Sequence, residues 1–155
     1  MKIALAMIVK GKGEETKLER ALASIAPFVD GIYITLTGPT NELGEIEKVC
    51  KQFKAIVSYE RALWDSNQKA VDWLKNFFKY EPYLNADDKL FRFDVARNYN
   101  FSQVPKDYDW IFWMDSDDVL SNAQNLRIIA ENAMRENIDA VYFNYLYQAE
   151  FENGK

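Results

Sequence analysis

Short runs of consecutive apolar residues, separated by amphipathic segments, constrain the fold of this chain more than any other feature. Ile3–Val9 is one such run, and residues 110–114 form the most apolar one. A strand composed entirely of apolar residues is covered on both faces, which is typical of parallel sheets. Apolar residues between the runs recur at helical spacing, as in Leu18, Leu22 and Ile25. Because parallel strands are usually joined by right-handed crossovers through helices, the pattern predicts an α/β domain.

The predicted elements alternate along the chain. The four strands of a mostly parallel sheet are predicted at residues 3–9, 32–37, 55–57 and 110–114, and helices at 14–26, 41–53, 65–80, 94–104 and 121–137. Residues 81–90 form a polar loop, and Asn41 and either Ser121 or Asn122 are candidate helix caps. Residues 140–143 begin another strand, and Asn153-Gly154 is a hairpin turn signal near the last residue. We therefore expect one Rossmann-like, three-layer α/β/α domain that is truncated within its fold.

Composition excludes several kinds of chemistry. The 155 residues contain no histidine and one cysteine, Cys50. This excludes Ser-His and Cys-His nucleophile pairs, imidazole metal ligands, thiolate zinc clusters and a disulfide framework. The net charge of −5 disfavours nucleic acid as a partner, and the whole negative excess lies between Glu81 and Val119. Any chemistry must use carboxylates, Lys, Arg, Tyr, hydroxyl groups or a metal ion.

Membrane and targeting signals are absent from the sequence. No uncharged run approaches the roughly 20 apolar residues that a spanning helix needs. The basic and apolar start is similar to a signal peptide, but Lys10, Lys12, Glu14 and Glu15 follow it without a small-residue cleavage site. We therefore favour a buried first strand, and expect a cytoplasmic protein with no transmembrane segment.

Three carboxylates, Asp115, Asp117 and Asp118, directly follow the most apolar predicted strand. Ligands of open α/β sheets bind beyond the carboxyl ends of the strands. Carboxylates this close repel one another, and a hard divalent cation such as Mg²⁺ or Mn²⁺ relieves the repulsion. An Asp-x-Asp pair suits a metal ion that keeps waters and takes its other ligands from a diphosphate. The alternative is capping of the next helix, for which one Asp would be enough.

Two further segments could bind an anion. Asp94 and Arg97 are expected on one polar face of residues 91–98, and Arg is a natural partner for phosphate. A structural salt bridge between Arg97 and the acidic residues is the alternative. Residues 10–15 combine glycines, lysines and a helix N-terminus, which can hold an anion. They match neither the dinucleotide-binding pattern nor a P-loop, so a plain turn is the simpler interpretation.

The order of these segments resembles that of the family-two glycosyltransferases with the GT-A fold. The matching segments are the first strand with its Glu14-Glu15 loop, the helix at 18–25, the strand at 31–34, Ala96-Arg97-Asn98, and Asp115-Ser116-Asp117-Asp118. The chain is most similar to the bacterial branch whose members begin Met-Ile-Val-Lys-Asn-Glu-Glu. The resemblance runs from end to end, with a weakly matched insertion at about residues 61–90.

The resemblance implies a metal-dependent glycosyltransferase of the hexosyltransferase type. Such an enzyme transfers a sugar, with inversion, from a nucleotide-diphospho-sugar to the hydroxyl of a saccharide, lipid or protein acceptor. By analogy, Mn²⁺ or Mg²⁺ is held by Asp115 and Asp117, with Asp118 close by. The implied donor site comprises Val9, Lys10, Thr37, Asp94, Arg97, Asp115 and Ser116. A UDP-sugar is the expected donor, although Leu36 replaces the Asp that usually reads the base or ribose.

The resemblance also implies that residues 1–155 are the donor half of such a domain. In the family, the acceptor half follows the Asp-x-Asp strand and supplies the general base, so we expect the base outside this chain and little or no transfer by the chain alone. A non-catalytic nucleotide- or carbohydrate-binding module would keep the same donor site and stays an alternative. A haloacid-dehalogenase-type phosphatase is a remote one, because too few residues follow Asp118 for its later lysine and second acidic site.

Overall fold

A four-stranded parallel sheet organises the described part of the molecule. The computed structural model describes residues 1–60, 64–65 and 90–144. Its strands are β1 (Ile3–Val9), β2 (Gly31–Leu36), β3 (Ile56–Tyr59), β4 (Trp64–Asp65), β5 (Leu90–Phe91) and β6 (Trp110–Trp113). The sheet has the order β3-β2-β1-β6 with every pair parallel, whereas β4 and β5 form a separate antiparallel pair. The prediction of an α/β fold built on a parallel sheet is confirmed.

Four α-helices are described, and all lie close to predicted positions. They are α1 (Glu15–Ile25), α2 (Gly44–Gln52), α3 (Phe93–Ser102) and α4 (Leu126–Arg135). In α1 the residues at helical spacing, Leu18, Ala21, Leu22 and Ile25, are fully buried. Burial of each large apolar side chain contributes roughly 1.5–3 kcal/mol, which explains why the amphipathic pattern predicted this helix well. Among the described residues, no helix is long and apolar enough to cross a membrane.

The strand β1 lies at the centre of both core layers. On one face Leu5 and Met7 belong to the larger core, which α1, α2 and α4 cover. On the other face Ala4 and Ala6 lie in a smaller core with Val104, which follows α3. The small side chains let α3 approach the sheet closely. Helices therefore flank the sheet on both sides.

A buried polar network fixes α3 on the sheet. The Asn100 carboxamide donates hydrogen bonds to the Tyr33 carbonyl oxygen (3.1 Å) and to Thr35 Oγ1 (3.0 Å). The Thr35 and Ser58 hydroxyl oxygens lie 2.8 Å apart, so the network reaches β3. Asn100 and Thr35 are fully buried, where hydrogen bonds matter most, and of the Asn100 carboxamide only the nitrogen has partners, since Oδ1 has none among the described residues. This network determines where α3 presents its other polar residues.

The predicted helix caps are wrong. Asn41 lies in a 3₁₀ turn (Thr40–Glu42), and α2 begins after Leu43 without a side-chain cap. The buried Leu43 side chain determines how the chain enters this helix. Asn122 adopts a left-handed conformation (φ 58°) before another 3₁₀ turn (Ala123–Asn125), and α4 begins only at Leu126. In both places a buried leucine lies at the start of the helix.

The strand predicted at residues 140–143 is also wrong. These residues have no strand partner in the described structure, and Tyr142 is 92% exposed. Phe143 instead packs edge-to-face on Phe112 of β6, with ring centroids 5.4 Å apart. β-branched and aromatic residues favour a strand, but a strand also needs a partner for its backbone groups.

Some predictions concern residues that lie mainly outside the described part. A helix was predicted at residues 65–80. Its first residue, Asp65, lies in β4, and residues 66–80 lie outside the described part of the chain. Of the polar loop predicted at 81–90, only residue 90 is described, and it belongs to β5. The Asn153-Gly154 turn is outside as well.

Candidate functional site

The acidic residues lie at the point where the order of the strands changes direction. From β1 the chain proceeds through β2 to β3 on one side, whereas β6 pairs with the other side of β1. Asp115–Asp118 follow β6, and the loop at residues 10–14 follows β1 at the same edge. Crevices beyond the carboxyl ends of strands at such switch points are the usual ligand sites of α/β sheets.

Asp115 to Asp118 form a turn closed by hydrogen bonds between its first and last residues. The Asp118 amide donates to the Asp115 carbonyl oxygen at 3.2 Å, and the Asp115 amide donates to the Asp118 carboxylate at 3.3 Å. The side chains of Asp115 and Asp117 are exposed, whereas Ser116 between them is buried. The Asp-x-Asp pair thus presents two carboxylates to solvent from a constrained turn.

Two side chains of the first helical region hold this acidic turn. The Ser116 hydroxyl donates to the Glu14 carboxylate at 2.8 Å, across 102 residues of sequence. The Arg20 guanidinium donates to the Asp117 carbonyl oxygen at 3.3 Å. Neither Glu14 nor Arg20 was among the predicted site residues. Glu14 was visible only as part of a charged loop, and no local pattern indicates so distant a contact.

Arg97 reaches the acidic turn from α3. Its guanidinium lies 3.6 Å from the Asp115 carboxylate and stacks on the Trp113 indole, 3.9 Å from the ring centroid. The structure therefore brings together Arg97 and Asp115, as the salt-bridge alternative predicted. Trp113 is 48% exposed, although the sequence indicated only a buried strand there. The contact fits both a salt bridge and a phosphate-binding Arg.

Asp94 is engaged by a different arginine. Arg92 donates from Nε and Nη2 to the two Asp94 carboxylate oxygens, at 2.8 and 2.6 Å. These hydrogen bonds lower the pKa of Asp94 to about 2. Asp94 and Arg97 share α3, but their ion pairs are separate.

The ends of β1 and β2 meet at the three remaining predicted site residues. The Thr37 amide donates to the Val9 carbonyl oxygen at 3.0 Å. Val9 is buried and can offer a ligand only its backbone, whereas Lys10 is exposed. Val9, Lys10 and Thr37 therefore lie at the carboxyl edge of the sheet, on the side of β1 that pairs with β2.

The loop after β1 is a turn in which the Gly13 amide already has a hydrogen-bond partner. Gly11 and Gly13 have φ values of 133° and 91°, which favour glycine. The Gly13 amide donates to both Glu15 carboxylate oxygens, at 3.1 and 2.9 Å. Beside it lies an open cleft of ≈420 Å³ lined by Lys12, Glu15, Asn41, Glu42, Gly44 and Glu45. Three glutamates against one lysine make this cleft unfavourable for a phosphate.

The oxygen ligands at the acidic turn fit a metal site that leaves positions for waters and substrate better than a site filled by protein ligands alone. Among residues 1–60, 64–65 and 90–144, no group of three or more acidic or cysteine side chains is arranged to hold a metal ion. Asp115 and Asp117 nevertheless offer two solvent-facing carboxylates. Mg²⁺ is commonly bound by one or two carboxylates, with waters and substrate phosphates completing the shell. The residues present therefore fit a cation shared with a diphosphate.

The chain was compared with models of protein families, with curated protein sequences and with solved structures, and none of the three comparisons found a match. Function must therefore be inferred from the residues and geometry of this edge.

Proposed function

We propose that this chain is the donor-binding part of a metal-dependent glycosyltransferase with a GT-A-like fold. The observation that carries the proposal is the position of Asp115-Ser116-Asp117 at the carboxyl end of β6, next to β1. Arg97 at 3.6 Å from Asp115 supports it, because a diphosphate needs a cationic partner beside its metal ion. The donor would be a nucleotide-diphospho-sugar, with UDP as the expected nucleotide.

The proposal gives each described site residue a task. Asp115 and Asp117 would hold Mn²⁺ or Mg²⁺, with Asp118 closing the turn, and the bound cation would offset the charge of the leaving diphosphate. Arg97 would donate to phosphate oxygens. Val9, Lys10 and Thr37 would receive the nucleoside, Asp94 would line the pocket, and the Ser116–Glu14 hydrogen bond would hold the acidic turn in place.

In the proposed reaction the acceptor hydroxyl attacks the anomeric carbon of the donor sugar. A general base removes the hydroxyl proton, and the bond to the diphosphate breaks with its electron pair on the departing oxygen. Attack opposite the leaving group inverts the anomeric configuration. None of the described residues is assigned as the base, so the residues above account for donor binding and departure.

Metal-dependent binding of UDP tests the proposal. Calorimetry should show that UDP binds the unmodified chain in the presence of Mn²⁺. Binding should be at least about tenfold weaker when a chelator removes the Mn²⁺, and also when D117A replaces the unmodified chain in the presence of Mn²⁺. D107A is a matched control, because Asp107 pairs with Lys2 on the surface, outside the proposed site. Equal UDP affinity with and without Mn²⁺, in both the unmodified chain and D117A, would contradict the proposal.

A transfer assay tests whether this chain catalyses transfer by itself. The chain is incubated with Mn²⁺, several UDP-sugars and mixed acceptors, and released UDP is measured. Acceptor-dependent release supports a transferase and would show that this chain supplies the base. Tight donor binding without release is expected both of a donor-binding part and of a non-catalytic module, so only release distinguishes the two.

A further inference from the structure

Arg97 and a divalent cation would require the same carboxylate. The Asp115 side chain is 61% exposed, and the Arg97 guanidinium lies 3.6 Å from it with only 23% of its side chain exposed. The guanidinium packs on the Trp113 ring, with its central carbon 3.9 Å from the ring centroid. Stacking on an aromatic face favours a cation there, so the position of Arg97 does not depend on Asp115 alone.

A guanidinium and a divalent cation placed on one carboxylate repel each other. The energy of that repulsion rises as the separation falls and as water is excluded. A diphosphate changes the balance, because its oxygens give arginine a stronger, two-pronged partner than one exposed carboxylate. Arg97 should therefore oppose metal binding when no diphosphate is present and favour binding when one is.

We propose that Arg97 occupies Asp115 as a substitute cation in the ligand-free protein, and that a diphosphate releases Asp115 for the metal ion by drawing Arg97 to its phosphate oxygens. This inference rests on the proposed function of the same site. Its consequence is that the metal ion binds weakly alone and tightly together with the diphosphate. Arg97 then acts with opposite sign on the two steps, which a purely structural salt bridge would not do.

The first test measures Mn²⁺ alone, with free ion counted by its electron paramagnetic resonance signal. R97Q removes the competing charge and should bind Mn²⁺ about two- to fivefold more tightly than the unmodified chain, the range expected for loss of an exposed ion pair. R97K keeps the charge and should stay near the unmodified value. R135Q removes the same charge from a residue that hydrogen-bonds to Asn132 of its own helix, and it controls for the change in net charge.

The second test measures UDP at saturating Mn²⁺ by calorimetry. R97Q should weaken UDP binding by about tenfold or more, as expected for a lost hydrogen bond to a charged group. R135Q should stay within about twofold. Circular dichroism of each variant confirms that it is folded.

The outcomes separate this inference from the proposed function. If UDP binding depends on Mn²⁺ and Asp117 but R97Q and R135Q bind Mn²⁺ alike, the role of Arg97 is wrong and the proposed function stands. If R97Q tightens Mn²⁺ binding but UDP does not bind, the competition between Arg97 and Mn²⁺ for Asp115 is supported. The proposed function of binding a nucleotide-sugar is then wrong. If no variant binds Mn²⁺, the inference is overturned.

Discussion

A single glycine, Gly38, determines how closely the loops after β1 and β2 approach each other. A Cβ atom at this position would overlap the Lys10 carbonyl oxygen, which is a backbone atom and cannot rotate away. One residue earlier, the Thr37 amide bonds to the Val9 carbonyl oxygen. The spacing of three proposed donor-site residues therefore depends on the missing side chain of Gly38.

Gly38→Ala should lower the free energy of unfolding by about 1–3 kcal/mol, because the overlap forces the backbone of one loop to shift. Urea denaturation measures the change, and UDP affinity should fall with it. Gly44→Ala is the matched control. A Cβ on Gly44 meets no atom within 4 Å, and alanine favours the helix that begins there, so stability should stay within about 0.5 kcal/mol or rise. A G38A protein as stable as G44A would contradict the close approach.

At the scale of elements, one carboxylate joins three segments at the amino edge of the sheet. Asp30, just before β2, accepts a hydrogen bond from the Ile3 amide of β1 at 2.8 Å and one from Arg127 of α4 at 2.7 Å. The Ile3 amide, and then Arg127, lower the pKa of Asp30 below its ordinary value of 3.8. The same contact thus aligns β1 with β2 and holds α4 beside them.

The stability contributed by Asp30 should depend on pH. Because its pKa is lower in the folded than in the unfolded protein, the contribution is complete above the unfolded value and is lost as the pH falls through the folded value. Asp30→Asn should therefore cost about 1 kcal/mol at pH 7, and the cost should shrink as the pH falls below 3.8. Urea denaturation from pH 7 to pH 3 measures the difference.

Asp107→Asn is the control for Asp30, because it removes an exposed ion pair with Lys2 that should contribute little. A cost for D30N that is constant with pH would show that the carboxylate charge is not what holds these segments.

At the scale of the whole molecule, both cores meet on β1. Leu5 and Met7 belong to one core and Ala4 and Ala6 to the other, so neither helical layer is packed independently of this strand. The proposed donor site lies at the carboxyl ends of β1 and β6 and contacts both layers, through Glu14 of the α1 side and Arg97 of α3. A ligand bound there should stabilise the described fold as one unit.

Thermal unfolding should reveal this coupling. A ligand at 100 times its Kd stabilises the folded state by about 2.7 kcal/mol, which corresponds to a rise in Tm of roughly 5–10 °C for a domain of this size. We expect the rise with UDP and Mn²⁺ together, and little change with UDP and a chelator or with uridine and Mn²⁺. Equal shifts with uridine and UDP would show that the diphosphate is not what the protein recognises.

Local patterns in the sequence were sufficient for the elements whose structure depends on their own residues. The run Ile3–Val9 forms a strand with the predicted bounds, and the helical spacing around Leu18 and Leu22 predicted the buried face of α1. Asp115 and Asp117 were predicted at the end of the strand at residues 110–114, and they follow β6, although no residue of β6 is buried as that prediction expected. Each of these patterns is contained within a few neighbouring residues, so the sequence by itself determined the α/β class and the position of the acidic turn.

Tertiary structure alone decided which of these segments meet. The stacking of Arg97 on Trp113, and the hydrogen bond from Ser116 to Glu14, depend on the strand order and on where the Asn100 network holds α3. The same dependence explains why residues 140–143 are not a strand in spite of their composition. A contact between distant segments is set by the packing of everything between them, and no pattern within either segment contains that information.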